Sequence, residues 1–179
     1  VFVMLDLDIG MQDWLTAPFE WDDARRLDRG KVMTAAELEA GHEFGRYLDV
    51  DGVGIAYRTY PGTHPKRGAF FTRGTSKDRH ARYTEEGPAY VDNMQRLLRK
   101  FETAKSLVPA PVQEQAAQRT RAGVLWYGST GAPMAEALAA LAARGIHLDR
   151  LRVRAFPFAD SVADFVGAHE HVFVVEQNR

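Results

Sequence analysis

The sequence lacks several features that would place it in a specialised class of protein. None of its 179 residues is cysteine, so the chain can form no disulfide and supply no thiolate to a metal or a cluster. No apolar run approaches the roughly 18–20 residues that span a bilayer, and no basic segment followed by an apolar one opens the chain. The 23 lysines and arginines nearly balance the 24 aspartates and glutamates, which excludes nucleic acid or an anionic membrane as the expected principal partner.

What the sequence does contain is enough apolar material for a folded core. Hydrophobic residues make up 45% of the chain, which is typical of one ordinary core or two small ones. The apolar run from Val1 to Leu5, which passes into Asp6 and Asp8, predicts a buried parallel strand that ends in a polar loop. Because this strand and one predicted over residues 172–175 lie at the chain ends, we expect the sequence to be a fragment of a longer protein.

Two helices are predicted in the first two thirds of the chain. Thr34, followed three residues later by Glu37, is typical of a capping box and begins a short helix over residues 34–43. Apolar residues recur at helical spacing over residues 88–108, and Pro109 ends this second helix. The remaining segments are rich in glycine, proline and arginine and lack periodicity, so we expect a long irregular extension.

The last third of the chain alternates between predicted strands and helices. The strands cover residues 123–127, 151–156 and 172–175, and the helices cover residues 134–144 and 162–168. Gly145 is the expected end of the first of these helices. Alternation at this spacing indicates a parallel α/β sheet.

A domain boundary is predicted near residue 115. Pro109 and Pro111 end the preceding helix, and the glutamine- and alanine-rich residues 113–120 are typical of a surface linker. The sequence therefore predicts a first domain at 1–112 and a second at 121–179.

Two short motifs have both a ligand-binding and a structural interpretation. In residues 127–131 (YGSTG), Ser129 and Thr130 lie between a strand and a helix, where free backbone N–H groups can form an anion-binding turn; the alternative is a tight turn with a Ser or Thr cap. Residues 49–54 (DVDGVG) show the alternating acids of a calcium loop, but Val53 replaces an acid, so a turn satisfied by local backbone is predicted instead. We assign no metal ligand, since the six histidines never form a metalloprotease-like pair on one helix.

The most informative stretch is the irregular segment from residue 57 to residue 76. The candidate binding residues in it are Arg58, Thr59, His64, Arg73 and Ser76. Guanidinium groups bind carboxylates and phosphates in a bidentate manner, and glycine lets backbone N–H groups approach such ligands. The alternative is a structural loop whose arginines pair with carbonyl groups and with acids such as Asp78.

A set of ordered, irregular motifs extends over nearly the whole chain. The motifs are residues 28–31 (DRGK), 46–52 (RYLDVDG), 57–63 (YRTYPGT), 71–76 (FTRGTS), 100–105 (KFETAK), 154–158 (RAFPF) and 174–179 (VVEQNR). In this order they resemble the alpha subunit of 2-oxoglutarate:ferredoxin oxidoreductases, a family of 2-oxoacid:ferredoxin oxidoreductases. So many ordered motifs are more specific than any single glycine loop.

The resemblance implies a cytoplasmic enzyme that decarboxylates 2-oxoglutarate or a related 2-oxoacid on thiamine diphosphate, reduces ferredoxin through iron–sulfur clusters and transfers the acyl group to coenzyme A. It implies a beta subunit as partner, which mainly holds the thiamine diphosphate, its magnesium and the clusters, with no cofactor bound by this chain alone. It also implies an α/β fold in which residues 1–112 end a pyrimidine-binding sheet with an irregular extension and residues 121–179 begin an incomplete transketolase C-terminal-like domain. The family's Tyr-Pro-Ile-Thr-Pro motif is absent from this sequence, so we expect the chain alone to be inactive.

Three hypotheses about function follow. In the first, the candidate residues of the irregular segment line or support a channel for 2-oxoglutarate or coenzyme A. In the second, the segment is an assembly element that docks on the beta subunit through the aromatic residues Trp14, Phe19, Trp21, Phe70 and Phe71. In the third, the α/β half is a nucleotide- or anion-binding module without catalysis of its own, although the sequence lacks a complete phosphate loop or dinucleotide fingerprint.

Overall fold

The computed structural model describes residues 3–5, 7–11, 13, 15–72, 74 and 76–176, and it shows the mixed α/β protein that the sequence predicts. By their contacts these residues form two compact units. One covers residues 21–104 and is called the loop unit; the other covers the residues from 105 onward together with those before 21 and is called the sheet unit. The predicted domain boundary near residue 115 stays a prediction.

The helices and strands, in chain order, are α1 (Leu7–Met11), α2 (Ala35–Glu39), α3 (Gly87–Lys105), β1 (Val112–Glu114), β2 (Ala122–Trp126), α4 (Gly131–Ala143), β3 (Asp149–Arg152), α5 (Asp160–Ala168) and β4 (His171–Val175). A single 3₁₀ turn, Gly128–Thr130, joins β2 to α4. The predicted helices in both halves and the three predicted strands of the second half are therefore confirmed, each with shifted ends.

The four strands form one sheet in the order β1, β3, β2, β4. β2 pairs in parallel with β3 and β4, whereas β1 pairs with β3 in the antiparallel direction. The parallel sheet expected for this part of the chain is thus present, with one antiparallel edge strand that the sequence pattern did not predict.

The sheet unit has a core on each face of the sheet. Val124 and Trp126 of β2 pack with Met134 and Leu138 of α4 on one face. On the other face Leu125, Leu151 and Val153 pack with Phe165 of α5. Because successive strand residues point to opposite faces, β2 is buried on both sides, and this explains why its sequence is a continuous apolar run.

α4 ends as the sequence predicts, at Gly145. The backbone N–H of Gly145 donates to the carbonyl of Ala142 at 3.0 Å, and the N–H of Ile146 donates to the carbonyl of Leu141 at 3.0 Å. Gly145 has a φ of 78°. This pair of bonds is a Schellman motif, which satisfies the last carbonyls of the helix.

The loop unit is organised by one short helix, one long helix and the turns between them. The capping box of α2 is confirmed: the Thr34 side chain accepts from the backbone N–H of Glu37, and the Glu37 carboxylate accepts from the Thr34 N–H. The predicted turn at residues 49–54 is also confirmed, because one Asp49 oxygen accepts from the N–H groups of Gly52 and Gly54, both at 3.1 Å. This turn lies against α3, where a Cβ on Gly54 would come within 2.3 Å of the Lys100 nitrogen.

The predicted strand over residues 1–5 is wrong for residues 3–5, the part of it that the structure describes. Val3, Met4 and Leu5 are exposed and lie in no strand. A strand requires a partner with which its backbone can form hydrogen bonds, and none of the described strands pairs with these residues. The short helix α1 follows instead. No helix within the described ranges is long and apolar enough to cross a membrane.

Candidate functional site

A cleft of about 650 Å³ opens in the loop unit between the end of α2, residues 67–71 and residues 80–83. It is lined by two guanidinium groups and four aromatic rings, those of Arg67, Arg82, Phe44, Phe70, Phe71 and Tyr83, and by the imidazoles of His42 and His80. We call it the arginine cleft. Cationic and aromatic side chains together suit a ligand with an anionic group and a flat or apolar part.

A tight hairpin turn positions one wall of the arginine cleft. Lys77 and Tyr83 form an antiparallel bridge, and one carboxylate oxygen of Asp78 accepts from the backbone N–H groups of His80 and Arg82, both at 2.9 Å. Asp78 therefore holds its own turn rather than pairing with the arginines of the preceding segment. The turn places Arg82 and Tyr83 side by side on the wall, and the hydrogen bond from the Tyr83 hydroxyl to a carboxylate raises the pKa of Tyr83.

The two guanidinium groups of the cleft differ in their bonding. Arg67 donates to the Leu38 carbonyl at 2.6 Å and lies 3.7 Å from the Glu39 carboxylate, so it closes the carboxyl end of α2. Arg82 makes no side-chain hydrogen bond or ion pair with any described residue. Within the part of the chain that the structure describes, no aspartate or glutamate lines the cleft, but the carboxylates of Glu39, Glu43 and Glu85 contact the lining residues Arg67, His80 and Tyr83. Arg82 is therefore the guanidinium group of the cleft that is available to an anion.

A smaller pocket of about 260 Å³ adjoins the arginine cleft and shares Arg67, Gly68 and Phe70 with it. Two predicted candidates, Thr59 and His64, line this pocket. The Thr59 hydroxyl donates to the Gly68 carbonyl at 2.6 Å. Thr59 therefore fixes the wall between the two cavities.

His64 is held by both of its ring nitrogens. Its Nδ1 accepts from the backbone N–H groups of Lys66 at 3.0 Å and Arg67 at 2.8 Å, so the ring proton must be on Nε2, which faces the Glu39 carboxylate at 2.5 Å. The hydrogen bond from His64, with a smaller contribution from the charge of Arg67, lowers the pKa of Glu39. His64 thereby ties the turn after Pro61 to the end of α2.

The other predicted candidates lie apart from these two. The Arg58 guanidinium donates to the Arg29 carbonyl at 2.6 Å and stacks over the Tyr60 ring at 5.4 Å, and it does not line the arginine cleft. Ser76 lines a different pocket, next to α3. Arg73 is outside the described residues.

The turn after β2 contains the two remaining candidates, Ser129 and Thr130. Thr130 is buried, and its hydroxyl donates to the Tyr127 carbonyl. Neither Tyr127 nor Thr130, the N-cap residues here, makes a side-chain cap hydrogen bond. A Cβ on Gly131 would lie 3.7 Å from the Arg152 guanidinium, so a cation is close to the start of α4.

Sequence reasoning missed the residues that make the arginine cleft cationic. Arg82 and His80 belong to residues 78–83 (DRHARY), a basic and aromatic cluster that was a detectable signal. Arg67 and Phe44 gave no such signal, because the fold brings them to the cleft from separate parts of the chain. Among the described residues no group of three or more histidine, aspartate or glutamate side chains is placed to hold a metal ion.

Comparison with known proteins gives a fold relationship. No family model matches the sequence, and no curated protein matches it. The structure is similar to that of the 2-oxoglutarate:ferredoxin oxidoreductase from Magnetococcus marinus with 2-oxoglutarate, coenzyme A and succinyl-CoA bound, with a TM-score of 0.63 and 18% identity over 78% of this chain. The chain spans 24% of the length of that protein. At this identity the likeness shows a shared α/β fold, as the sequence predicts.

Proposed function

We propose that this chain forms part of the alpha subunit of a cytoplasmic, thiamine-dependent 2-oxoacid:ferredoxin oxidoreductase of the 2-oxoglutarate type. The fold likeness to the Magnetococcus marinus enzyme over 78% of the chain carries the proposal. The ordered motifs of the sequence support it independently, since they extend from residue 28 to residue 179. In the complete enzyme, 2-oxoglutarate and coenzyme A are converted to succinyl-CoA and carbon dioxide while ferredoxin is reduced.

Within this proposal, the arginine cleft binds an anionic part of 2-oxoglutarate or coenzyme A. Arg82 supplies an exposed guanidinium group that is not used by any described side chain and that can bind a carboxylate or phosphate in a bidentate manner. Thr59 and His64 support the cleft through their bonds to Gly68 and Glu39, whereas Arg58 bonds to Arg29 and remains a candidate from the sequence. Arg73 and Ser76 remain candidates from the sequence.

The residues of this chain do not fit an iron–sulfur cluster, because the sequence has no cysteine. As the family resemblance implies, we assign the cluster, and thiamine diphosphate with its magnesium, mainly to the beta subunit. We assign to this chain the role of binding and orienting substrate.

Co-expression with a cognate beta subunit tests the proposal. The chain alone, and the chain extended upstream as an alpha subunit, are each paired with the beta subunit and assayed for 2-oxoglutarate- and coenzyme A-dependent reduction of a viologen dye. We expect activity only with the extended alpha chain. Activity in neither pair would contradict the assignment and favour a nucleotide- or anion-binding module, for which nucleotide protection in a thermal-shift assay is the measurement.

In the active complex, Arg82→Met tests the arginine cleft. Loss of a charge-assisted hydrogen bond should raise the KM for 2-oxoglutarate or coenzyme A about tenfold, with kcat retained. Arg26→Met is the matched control, since Arg26 is exposed and does not line the cleft. Unchanged KM values for both substrates in Arg82→Met would refute the role of the cleft.

The exposure of several aromatic side chains favours a second candidate function, that of an assembly element. Phe19, Trp21 and Phe71 are 91%, 84% and 75% exposed, and Phe70 is 40% exposed. Trp14 lies outside the described residues. Exposed aromatic residues are typical anchors of subunit interfaces, so loss of alpha–beta association in Phe19→Ala, with normal kinetics in the remaining complexes, would support this function.

A further inference from the structure

A separate pocket of about 190 Å³ lies in the loop unit beside α3. Its polar lining consists of Ser76, Lys77, Asn93 and Arg96, and the rings of Tyr47 and Tyr90 complete it together with Met94 and Leu97. We call it the Arg96 pocket. It is smaller than the clefts of about 300–1,000 Å³ that hold drug-sized ligands, so it suits a single small group.

Arg96 is the buried charge of this pocket. It is only 7% exposed, although arginine is rarely buried unless its charge is paired. Its Nη1 donates to the Gly54 carbonyl at 2.9 Å, and its Nε faces the Asn93 side-chain oxygen at 3.4 Å. These partners are neutral, and Nη2 has no hydrogen-bond partner among the described residues.

The surroundings of Arg96 are positively charged. No carboxylate of the described residues lies within ion-pair distance of Arg96, because Asp49, which is nearby, bonds to Arg99 at 3.1 Å and to backbone N–H groups. The guanidinium groups of Arg46 and Arg96 both lie over the Tyr47 ring, at 5.6 and 5.5 Å from its centre. Burial, followed by the charge of Arg46, lowers the pKa of Arg96, and the charge of Asp49 only partly opposes this effect.

Two further donors share the pocket with Arg96. Lys77 uses one ammonium proton for the Gly74 carbonyl at 3.0 Å, and an ammonium group has two others. The Ser76 hydroxyl makes no hydrogen bond to any described residue. The side-chain amide of Asn93 bonds to the Lys77 carbonyl at 2.5 Å and holds residues 76 and 77 against α3.

We propose that the Arg96 pocket binds a small anion, either a carboxylate or a phosphate group, through Arg96, Lys77 and Ser76. The anion supplies the negative charge that the buried guanidinium lacks, and all three residues line the cavity, which is large enough for one such group. The site is distinct from the arginine cleft, and the proposal does not depend on the assignment to an oxidoreductase.

Calorimetric titration of the full 179-residue chain with inorganic phosphate and, separately, with acetate tests the site. We expect saturable binding of at least one of the two anions. Saturation by phosphate alone identifies a phosphate group as the ligand class, and saturation by acetate alone identifies a carboxylate. Binding of neither anion would overturn the proposal.

Matched lysine variants separate the site from general charge effects. Lys77→Met and Ser76→Ala should each weaken binding about five- to tenfold. Lys100→Met removes the same charge from an exposed position of α3 that does not line the pocket, and it should leave the affinity unchanged. Equal losses in Lys77→Met and Lys100→Met would contradict a defined site. Arg96→Lys keeps the charge but loses the fork of donors, and it should abolish the binding while far-UV circular dichroism confirms the fold.

Discussion

Raising the pH through the range in which His169 loses its proton should destabilise the sheet unit. His169 is at the end of α5, where its Nδ1 lies 2.7 Å from the Phe165 carbonyl and its Nε2 lies 3.0 Å from the Asp149 carboxylate of β3. Both partners are acceptors, so only the doubly protonated imidazolium can donate to both. The neighbouring charges Arg121 and Glu170 pair with each other.

The direction of the pH effect follows from the two pKa shifts. The hydrogen bond to Phe165, then that to Asp149, raises the pKa of His169 above its ordinary value of 6.5. Burial acts to raise the pKa of Asp149, but hydrogen bonds from the Ala116 N–H and from His169 outweigh it and hold this pKa below 3.8. The stabilisation by His169 is therefore complete below pH 6.5 and is lost as the pH rises through the elevated value, while Asp149 remains ionised.

The expected loss of stability is that of one hydrogen bond, since neutral His169 can donate to only one of its two acceptors. The Asp149 side chain is 23% exposed, so we use the value for an ordinary bond, about 1 kcal/mol, rather than the larger value for buried charges. For a unit of fewer than a hundred residues, this loss lowers Tm by about 4–8 °C.

Thermal unfolding followed by the fluorescence of Trp126 is the assay. Trp126 is buried in the sheet unit, and replacing Trp14 and Trp21 by phenylalanine leaves it as the single reporter. Tm is measured from about pH 5.5 to pH 8.5 in this background, in His169→Gln and in the control His171→Gln, which changes an exposed histidine of β4. The reasoning fails if His169→Gln retains the pH dependence, or if His171→Gln loses it.

Two further predictions concern stability of the loop unit and are measured by chemical denaturation. Gly54→Ala should lower the free energy of unfolding by about 2–4 kcal/mol, because its Cβ would clash with the α3 backbone at Lys100 and its φ is 78°. Gly52→Ala is the control: at a φ of 80° with open space around it, it should lower the free energy of unfolding by only about 1 kcal/mol. Equal losses in the two variants would contradict the packing argument. Thr34→Ala should lower the free energy of unfolding by about 1 kcal/mol through loss of the α2 cap, whereas Thr34→Ser should keep the cap and the stability. An unchanged free energy of unfolding in Thr34→Ala would show that the cap contributes nothing.

The sequence predicts the sheet unit well because its signals are local. Alternating strand and helix patterns and the stop at Gly145 can be read within a few residues of each element. β1 is the exception, since its three residues are all exposed and therefore carry no burial pattern. α1 was missed for a related reason, because five residues are too few to establish a helical period.

The candidate site of the loop unit depends on contacts between distant residues, which no local pattern reveals. His64 bonds to Glu39, 25 residues away, and Arg58 bonds to Arg29, 29 residues away. Residue type alone made both plausible ligand-binding residues, whereas the fold gives their side chains protein partners. The reverse holds for Arg96, which no local pattern marks as a binding residue, but which is buried and donates to the Gly54 carbonyl, 42 residues away.

Two glycines of the loop unit are required for packing within the chain rather than for binding a ligand. A Cβ on Gly68 would come within 2.9 Å of both Leu38 and Thr59, and one on Gly54 would overlap the α3 backbone, so these glycines allow segments of this chain to approach each other. In the segment whose glycines suggested a ligand cradle, Gly68 is explained by an internal contact, whereas Gly62 has a φ of 81° and open space around it. The two guanidinium groups that we propose as anion ligands, Arg82 in the cleft and Arg96 in its own pocket, have no carboxylate partner in the described part of the chain. For Arg96 the missing counter-charge is therefore a better indicator of a binding site than glycine content, because the desolvation cost of a buried cation must be offset either by the protein or by a ligand.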